Sequence, residues 1–596
     1  MRPSNPPPPP GAPGPAKFPS AFPPAANSAF PPASMADSIP PASTEAGATE
    51  PVVYDYLIVG SGFGGSVSAH RLVEKGYRVL MLEKGSELKA EDFPDNNWDI
   101  KRWLWAPAIG FRGLFQLRPF RHVSVLAGAG VGGGSLTYAN TLPIPKRGFF
   151  QGKSWAHLAD WEKELAPHYV EARRMLGAAP SDFLSPADQL LKTVANESGM
   201  PQAFEKPHVS VYFGTPGQKH PDPYFDGRGP ERTGCIRCGA CMTGCKHGAK
   251  NTLDKNYLYF ARKGGLTLHA DTEVFHVAPS VTGDGYRIKA HTGKSYFRRR
   301  EVTFEAKHVV FAGGALGTNS LLLRLQADPT ALPNLSPQVG RRVRTNSESL
   351  LLVTDPNPAI DHSTGIAINS LLQTDEHSHL EMTRYGKGSG FFRMFYIPHA
   401  RGRAGFLQLF RILIACLKQP LRTLRAMLIR DWARSTMVLL YMRSTEGTLR
   451  FVRNRFGYMA TQLEDGEAPK ATLPAATELA IKLADLTGGI VMNANYEPLF
   501  DVPTTAHILG GCAMGDSAET GVIDMQHRVF GYDGLYIVDG STISANPGVN
   551  PSLSISALAE RAMSLIPAKA ALSPRASGAK ALPPPAAAAL AHVQSA

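Results

Sequence analysis

The stretch Tyr54-Asp-Tyr-Leu-Ile-Val-Gly-Ser-Gly-Phe-Gly-Gly-Ser-Val-Ser-Ala-His-Arg-Leu72, answered by Val79-Leu-Met-Leu-Glu83, leaves few folds open to this chain. Tyr56 to Val59 is a continuous apolar run that reads as a buried parallel strand. Gly60, Gly62 and Gly65 fill G-x-G-x-x-G, and Ala69 and Leu72 begin a helical apolar spacing. The order is strand, tight turn, helix. Gly60 permits the turn, Gly62 lets the backbone approach a pyrophosphate, and Gly65 lets the helix pack closely on the strand, leaving the phosphates at the positive helix N-terminus. Val79 to Leu82 reads as the next strand, and Glu83 at its carboxyl end is placed to accept ribose hydroxyls. A glycine triplet alone is a weak signal. Strand, triplet, helix, strand and terminal acid in register predict adenine-dinucleotide binding.

A chain of 596 residues exceeds the ~250–300 residues at which a single core stops growing, so two domains are expected. Its 43% hydrophobic content is that of a soluble globular protein. The net charge of +12, from 62 basic and 50 acidic side chains, favours anionic surfaces without saying which. Nucleic acid is not an expected partner, because no Lys/Arg run interleaved with aromatics accompanies the charge. Residues 1–51 are rich in Pro, Ala and Ser, with Pro6 to Pro10 unbroken, and 568–596 repeat that composition, so both ends are expected to be disordered or polyproline-like tails. Met35 is an alternative start. No signal peptide and no apolar run near the ~18–20 residues of a membrane span is present, which makes a cytoplasmic location the default expectation. Six cysteines, four of them in one run, argue against a secreted disulfide scaffold.

After Glu83 comes an aromatic-rich segment (Trp98, Trp103, Trp105, Phe111, Phe115) and then a second glycine loop, Leu126-Ala-Gly-Ala-Gly-Val-Gly-Gly-Gly-Ser-Leu-Thr-Tyr138, which allows close backbone approach to a planar ligand. Leu266 to Val277 reads as strand material, and Lys307 to Leu323 repeats the strand, glycine turn, helix order. The C-terminal block runs from His507, with Gly510-Gly511, through a strand ending in Asp539-Gly540, to Gly548-Val-Asn550-Pro and an apolar helix beginning near Pro551. Both ends of the chain are therefore expected in one nucleotide-binding domain.

Together these segments resemble the glucose-methanol-choline (GMC) flavoprotein oxidoreductases, and among them the bacterial cholesterol oxidase type, over residues 52 to 567. The resemblance implies FAD, a choice that spacing alone does not make. It implies an α/β fold: a discontinuous Rossmann-like FAD domain (52–345 and 500–567, with substrate-domain pieces inserted near 150–225) and a substrate domain (346–499) built on a large antiparallel sheet. Val438–Met442 and Leu449–Val452 are expected strands of that sheet. It assigns Gly60, Gly62, Gly65, Glu83, Gly134, Ser135, Val274, Asp539, Gly540 and Asn550 to the cofactor, and His507 and Asn550 to catalysis.

The implied reaction is oxidation of a bulky apolar alcohol, a 3β-hydroxysterol such as cholesterol, to the ketone, by hydride transfer to flavin N5 with O2 as acceptor. Two alternatives stay open: a dehydrogenase passing electrons to a quinone or protein carrier, and a non-catalytic flavin-containing lipid-binding protein. In cholesterol oxidases a glutamate also moves the steroid double bond. Here the nearest match is Ser435, which cannot shuttle a proton, so isomerase activity is in doubt; Glu446 or Glu348 is the candidate to take its place, and the sequence establishes neither.

Two features have competing readings. Cys235-x2-Cys238-x2-Cys241-x3-Cys245 has the spacing of bacterial ferredoxin cluster ligands, although Lys246 stands where proline normally follows. The alternatives are an iron–sulfur cluster and a compact loop of thiols. Phe406 to Trp432 is apolar and basic in patches, interrupted by Arg411, Lys418, Arg422, Arg425 and Arg430 and broken by Pro420. That pattern suits either two short amphipathic helices on an anionic membrane, giving peripheral contact, or a helical lid with a solvated basic side.

Overall fold

The computed structural model describes residues 53–569 apart from 282, 401, 403, 404 and 446. The chain divides into two units, 1–40 and 41–596, and everything described belongs to the second. The amino-terminal tail with Pro6 to Pro10 and Met35, the carboxy-terminal tail beyond Lys569, and Glu446 lie outside the described residues.

Strand Val53–Val59 is the axis of the first sheet. It pairs in parallel with Val79–Leu82 on one side and with the far half of the long strand Arg300–Phe311 on the other. Thr267–His269 adds outside Val79–Leu82, and Leu535–Ile537 adds outside Arg300–Phe311. Near-continuous apolar runs such as Val79–Leu82 belong in a parallel sheet covered on both faces, and these four residues are fully buried. Leu266 to Val277 is not one strand: Asp271 turns in the left-handed region, and Thr272–Pro279 leaves to form an antiparallel wing with Tyr286–Thr292 and the near half of Arg300–Phe311.

The first and last helices of the described residues meet in this layer. Helix Phe63–Glu74 packs against helix Ser552–Ser564, which packs against Trp161–Met175. Arg71 fastens the three by pairing with Glu560 at 2.7 Å and Glu171 at 2.6 Å.

A second, antiparallel sheet has the order 396–398, 490–494, 349–354, 436–443, 378–383, 368–373, 204–205. It is covered on both faces. Leu351, Val353, Leu439 and Tyr441 pack on helices Pro186–Glu197 and Pro474–Thr487. Their neighbours Leu350, Leu352, Val438 and Leu440 face a chamber. The expected strand at Val438–Met442 lies in this sheet. The one at Leu449–Val452 does not: Gly447–Arg453 pairs with Met459–Gly466 and Arg341–Arg344 in a separate four-stranded sheet that reaches Leu509–Gly511.

Candidate active site

The chamber, about 970 Å3, runs between the parallel sheet's carboxyl ends and the chamber-side face of the antiparallel sheet. Val59, Gly60, Gly62, Glu83, Gly134 and Val274 line the nucleotide side, with Asp539 and Gly540. Ligands bind outside strand carboxyl ends in open α/β sheets for the reason seen here, since helix N-termini converge there. The first residues of helices Phe63–Glu74, Gly314–Gln326 and Ser552–Ser564 all border the space.

Packing explains each glycine of the turn. Gly60 has φ +102°, and a β-carbon there would lie 2.5 Å from the Ala312 carbonyl oxygen. One on Gly65 would lie 2.1 Å from the Gly60 carbonyl oxygen. One on Gly62 would meet no protein atom within 4 Å, so its backbone is bared to the chamber.

Glu83 organises the turn as well as bordering it. Its Oε2 accepts from the Ser61 amide (2.9 Å) and hydroxyl (2.7 Å), and Oε1 accepts from the Gly85 amide (2.8 Å). A carboxylate has about four acceptor sites, so one remains for a ribose hydroxyl. Asp539 does the equivalent on the C-terminal side. It accepts from the Ser541 amide (2.8 Å) and the Gly314 amide (2.8 Å), and burial raises its pKa. This cradle fits FAD, since its bare glycine backbone, helix N-termini and acid match pyrophosphate and ribose.

Ser135 departs from its expected place. It is fully buried away from the chamber, where its hydroxyl donates to Gly132 O (2.7 Å) and accepts from Leu253 N (3.2 Å), so it shapes the glycine loop from behind.

At the far end of the cradle stand His507 and Asn550. His507 follows the short strand Thr504–Thr505, which pairs with Ser124–Gly128, and its amide donates to Thr505 Oγ1 (3.0 Å). Asn550 precedes helix Ser552–Ser564. Its loop is tied to the antiparallel sheet by Asn546 Nδ2, donating to Arg443 O and Thr445 O, and by Asn346 Nδ2, donating to Val549 O at 2.8 Å. His507 Nε2 and Asn550 Nδ2 come within 3.4 Å.

Two carboxylates from the antiparallel sheet orient this pair. Glu348, at the head of strand Ser349–Thr354, bonds His507 Nδ1 at 2.5 Å and accepts from the Ala506 amide at 2.9 Å. Glu381 in Ser378–Thr383 accepts from Asn550 Nδ2 at 3.2 Å. It lies opposite Leu440, and Thr383 lies opposite Val438, which puts Glu381 on the chamber side of the sheet. Burial alone would depress the His507 pKa, but the negative charge of Glu348, its hydrogen bond and the charge of Glu381 together raise it.

Ser435 is elsewhere. It ends the short helix Trp432–Ser435 and its carbonyl accepts from the Asp355 amide (2.7 Å), so the match of Ser435 to the proton-shuttling glutamate is corrected: the carboxylates beside His507 are Glu348 and Glu381. Apolar and aromatic side chains, Trp103, Phe391, Phe392, Tyr385, Tyr396 and Trp432 among them, make much of the remaining wall, with Lys84, Arg118 and Arg324 also lining the chamber.

The four cysteines face one small space of about 20 Å3 with His247 and Lys250. Cys235 and Cys241 are packed among Val209, Val211, Ala249 and Ile366. Burial pushes the thiol of Cys235 up to about 12 and that of Cys238 up to about 11. Among the described residues no group of three or more His, Cys, Asp or Glu is disposed to hold a metal ion, and the iron–sulfur reading gains no support. Lys250 ties this loop to the second glycine loop, donating to Cys241 O (2.8 Å) and Leu136 O (3.0 Å).

Comparison with known proteins agrees with this geometry. Two models of the GMC oxidoreductase family match residues 230–344 and 462–559, and a model of the NAD(P)-binding Rossmann-like domain matches 58–107. A cholesterol oxidase of Acinetobacter baumannii is 45% identical over 527 residues, covering 87% of this chain and 95% of that protein. The chain belongs to the GMC oxidoreductase family. A cholesterol oxidase of Mycobacterium tuberculosis (strain CDC 1551 / Oshkosh) is 42% identical over 540 residues, 87% of this chain and 91% of its own. The crystal structure of pyridoxine 4-oxidase from Mesorbium loti shares the fold, with a TM-score of 0.55 at 15% identity, covering 86% of this chain and 98% of that one. This GMC protein is thus a cholesterol oxidase-like flavoprotein, an oxidoreductase acting on CH–OH groups.

The buried charge beside His507 has a measurable consequence. Were His507 the group that takes the hydroxyl proton, it would have to be neutral, and activity would be expected to rise with pH through a midpoint above the ordinary histidine value. Glu348→Gln keeps an acceptor for Nδ1–H but removes the charge. The acidic limb of the kcat/KM profile should move to lower pH. A limb that stays in place would separate His507 from the rate.

Proposed function

We propose that this GMC enzyme oxidises the hydroxyl of a bulky apolar alcohol of the sterol class to the ketone, with dioxygen as final electron acceptor. The observation that carries the reading is His507, oriented by Glu348 at 2.5 Å, at the junction of a dinucleotide cradle and an aromatic-walled chamber. Two relatives named cholesterol oxidase, similar over most of both chains, point to the same substrate class.

When bound in the cradle of Gly60, Gly62, Glu83 and Asp539, FAD would supply the two-electron acceptor for the carbinol hydride, with dioxygen taking those electrons on as hydrogen peroxide. With the Nδ1 proton held by Glu348, the Nε2 lone pair of His507 accepts the alcohol proton. Asn550 stands beside that nitrogen, its amide nitrogen held by Glu381 and its buried Oδ1 without a protein partner, so it can position the reacting group. Glu381 is a positioning residue, since it meets the site through Asn550. The apolar walls exclude water and accept a rigid hydrocarbon body.

Anaerobic titration of the purified yellow protein with sterols and with simple short alcohols tests this. Sterols should bleach the flavin at stoichiometric amounts, short alcohols only weakly, and admission of air should give one peroxide per ketone. Bleaching without peroxide would move the acceptor to a quinone or protein carrier. No bleaching by any alcohol would leave a lipid-binding flavoprotein.

A further inference from the structure

The antiparallel sheet sets Glu381 and Tyr396 at the two ends of one cross-strand row. Glu381 lies opposite Leu440 and Leu440 opposite Leu350; the Leu352–Met492 register then puts Ala494 beside Leu350, and Ala494 pairs with Tyr396. Leu440, Leu350, Ala494 and Tyr396 all line the chamber. The strand of Tyr396 stands four strand steps from that of Glu381, about 19 Å at the ~4.8 Å spacing of paired strands. From the His507–Asn550 pair the chamber wall thus runs to a remote end at the distance of a tetracyclic body with its side chain.

That remote end is not uniformly apolar. Tyr396 packs with Tyr385 and Trp432 in a cluster that includes Leu352, Val438 and Met492, and all three aromatic residues line the chamber. No described residue hydrogen-bonds the hydroxyl of Tyr385 or of Tyr396, and burial pushes both phenols above their ordinary range. The Trp432 indole N–H is likewise buried without a partner. A buried tyrosine or tryptophan ordinarily finds a partner for its polar atom, because leaving that bond unmade is costly. Three donors in one stretch of wall call for an acceptor that arrives with the substrate. A neutral acceptor suits them best. Glu497, near Tyr396, is buried and its carboxyl is pushed well above the usual range, and the chamber's cations, Lys84, Arg118 and Arg324, come from none of these elements. A carboxylate placed here would have no counter-charge.

We propose that the preferred alcohol carries a second, neutral oxygen at the end remote from its reacting hydroxyl, as in a sterol hydroxylated or oxidised to a ketone on its side chain, and that the Tyr385 and Tyr396 hydroxyls receive it. With the reacting hydroxyl at His507 Nε2, the hydrocarbon body lies along Leu440, Leu350 and Ala494, and the far oxygen meets the two phenols. A plain alkyl side chain would cover these hydroxyls without pairing them, so the site discriminates against it. The preference rests on the sterol-class reading of the same chamber and narrows it to oxygenated members.

Steady-state kinetics of the holoenzyme test this with cholesterol, its counterpart hydroxylated at the end of the side chain, and the counterpart carboxylated there. The parent should turn over the hydroxylated sterol with kcat/KM at least about tenfold above that for cholesterol or the carboxylate. The double variant Tyr385→Phe, Tyr396→Phe keeps both rings. It should lose that preference while its flavin content is unchanged and its kcat/KM for cholesterol stays within about twofold of the parent. Where the double variant loses its flavin, Tyr396→Phe alone, on the edge strand of the sheet, makes the same comparison. Equal kcat/KM for cholesterol and the hydroxylated sterol in the parent, a preference for the carboxylate, or a preference that survives loss of the hydroxyls overturns the proposal and leaves sterol oxidation in place. Turnover of none of the three sterols removes the sterol-class reading itself, and this proposal with it.

Discussion

Replacing His507 with Ala is expected to lower turnover about 10²–10⁴-fold, the range associated with one positioned acid–base group, while the purified protein stays yellow. The two halves of that result come from different parts of the structure. The hydrogen bonds of His507 run to Glu348, Thr505 and Asn550, none of which closes the glycine turn. The cradle is closed by Gly60, Gly65, Glu83 and Asp539, so cofactor retention should not depend on the ring. Removal of the imidazole leaves the alcohol proton with no neutral nitrogen and leaves Glu348 without its partner. Glu348 keeps the Ala506 amide, which limits the loss of fold stability. Unchanged kcat in a flavin-replete variant would remove His507 from the chemistry. Loss of the flavin would show that the loop holding His507 also supports the cofactor.

The parts of this site that were legible beforehand are those whose chemistry is local in sequence. The turn at Gly60 to Gly65 is announced by strand, glycines and helix within twenty residues, and the C-terminal His507 and Asn550 lie in loops marked by Gly510-Gly511 and Gly548. Glu381 carries no such mark. In a half-solvated strand an acid at an alternate position reads as an outward-facing residue, but Ser378–Thr383 is buried throughout, because helices cover one face and the chamber the other. Only the pairing of Glu381 with Leu440 shows which side it takes. Ser435 misled for the complementary reason. It adjoins the apolar run Met437 to Tyr441, yet the helical turn Trp432–Ser435 ends just before that strand begins. Gly447–Arg453 likewise has strand character in its residues, and its sheet is decided by partners more than 100 positions away at Arg341–Arg344.

The glycines of the nucleotide turn give the other large expected effect, and they separate packing from ligand binding. Gly65 lies inside helix Phe63–Glu74, where alanine is ordinarily the better helix former by about 1 kcal/mol, so any loss on Gly65→Ala must come from contact. The new β-carbon would stand 2.1 Å from the Gly60 carbonyl oxygen and 3.1 Å from the Ala312 β-carbon, both parts of the buried sheet edge. The helix must lift from the strand, at a cost of about 1–3 kcal/mol or more, and its N-terminus moves off the phosphates with it. Gly65→Ala should therefore lower the melting temperature and leave the protein largely colourless. Gly62 is the control. Its φ of −69° suits alanine and its β-carbon would meet no protein atom within 4 Å. Gly62→Ala should melt as the parent apoprotein does, yet bind FAD at least about tenfold more weakly, about 1.4 kcal/mol, because the added methyl occupies the space that the bare backbone leaves for the pyrophosphate. Flavin-to-protein ratio and melting temperature, measured with and without added FAD, distinguish the two. A Gly62→Ala protein with full flavin and parental affinity would mean that the cofactor lies elsewhere in the chamber.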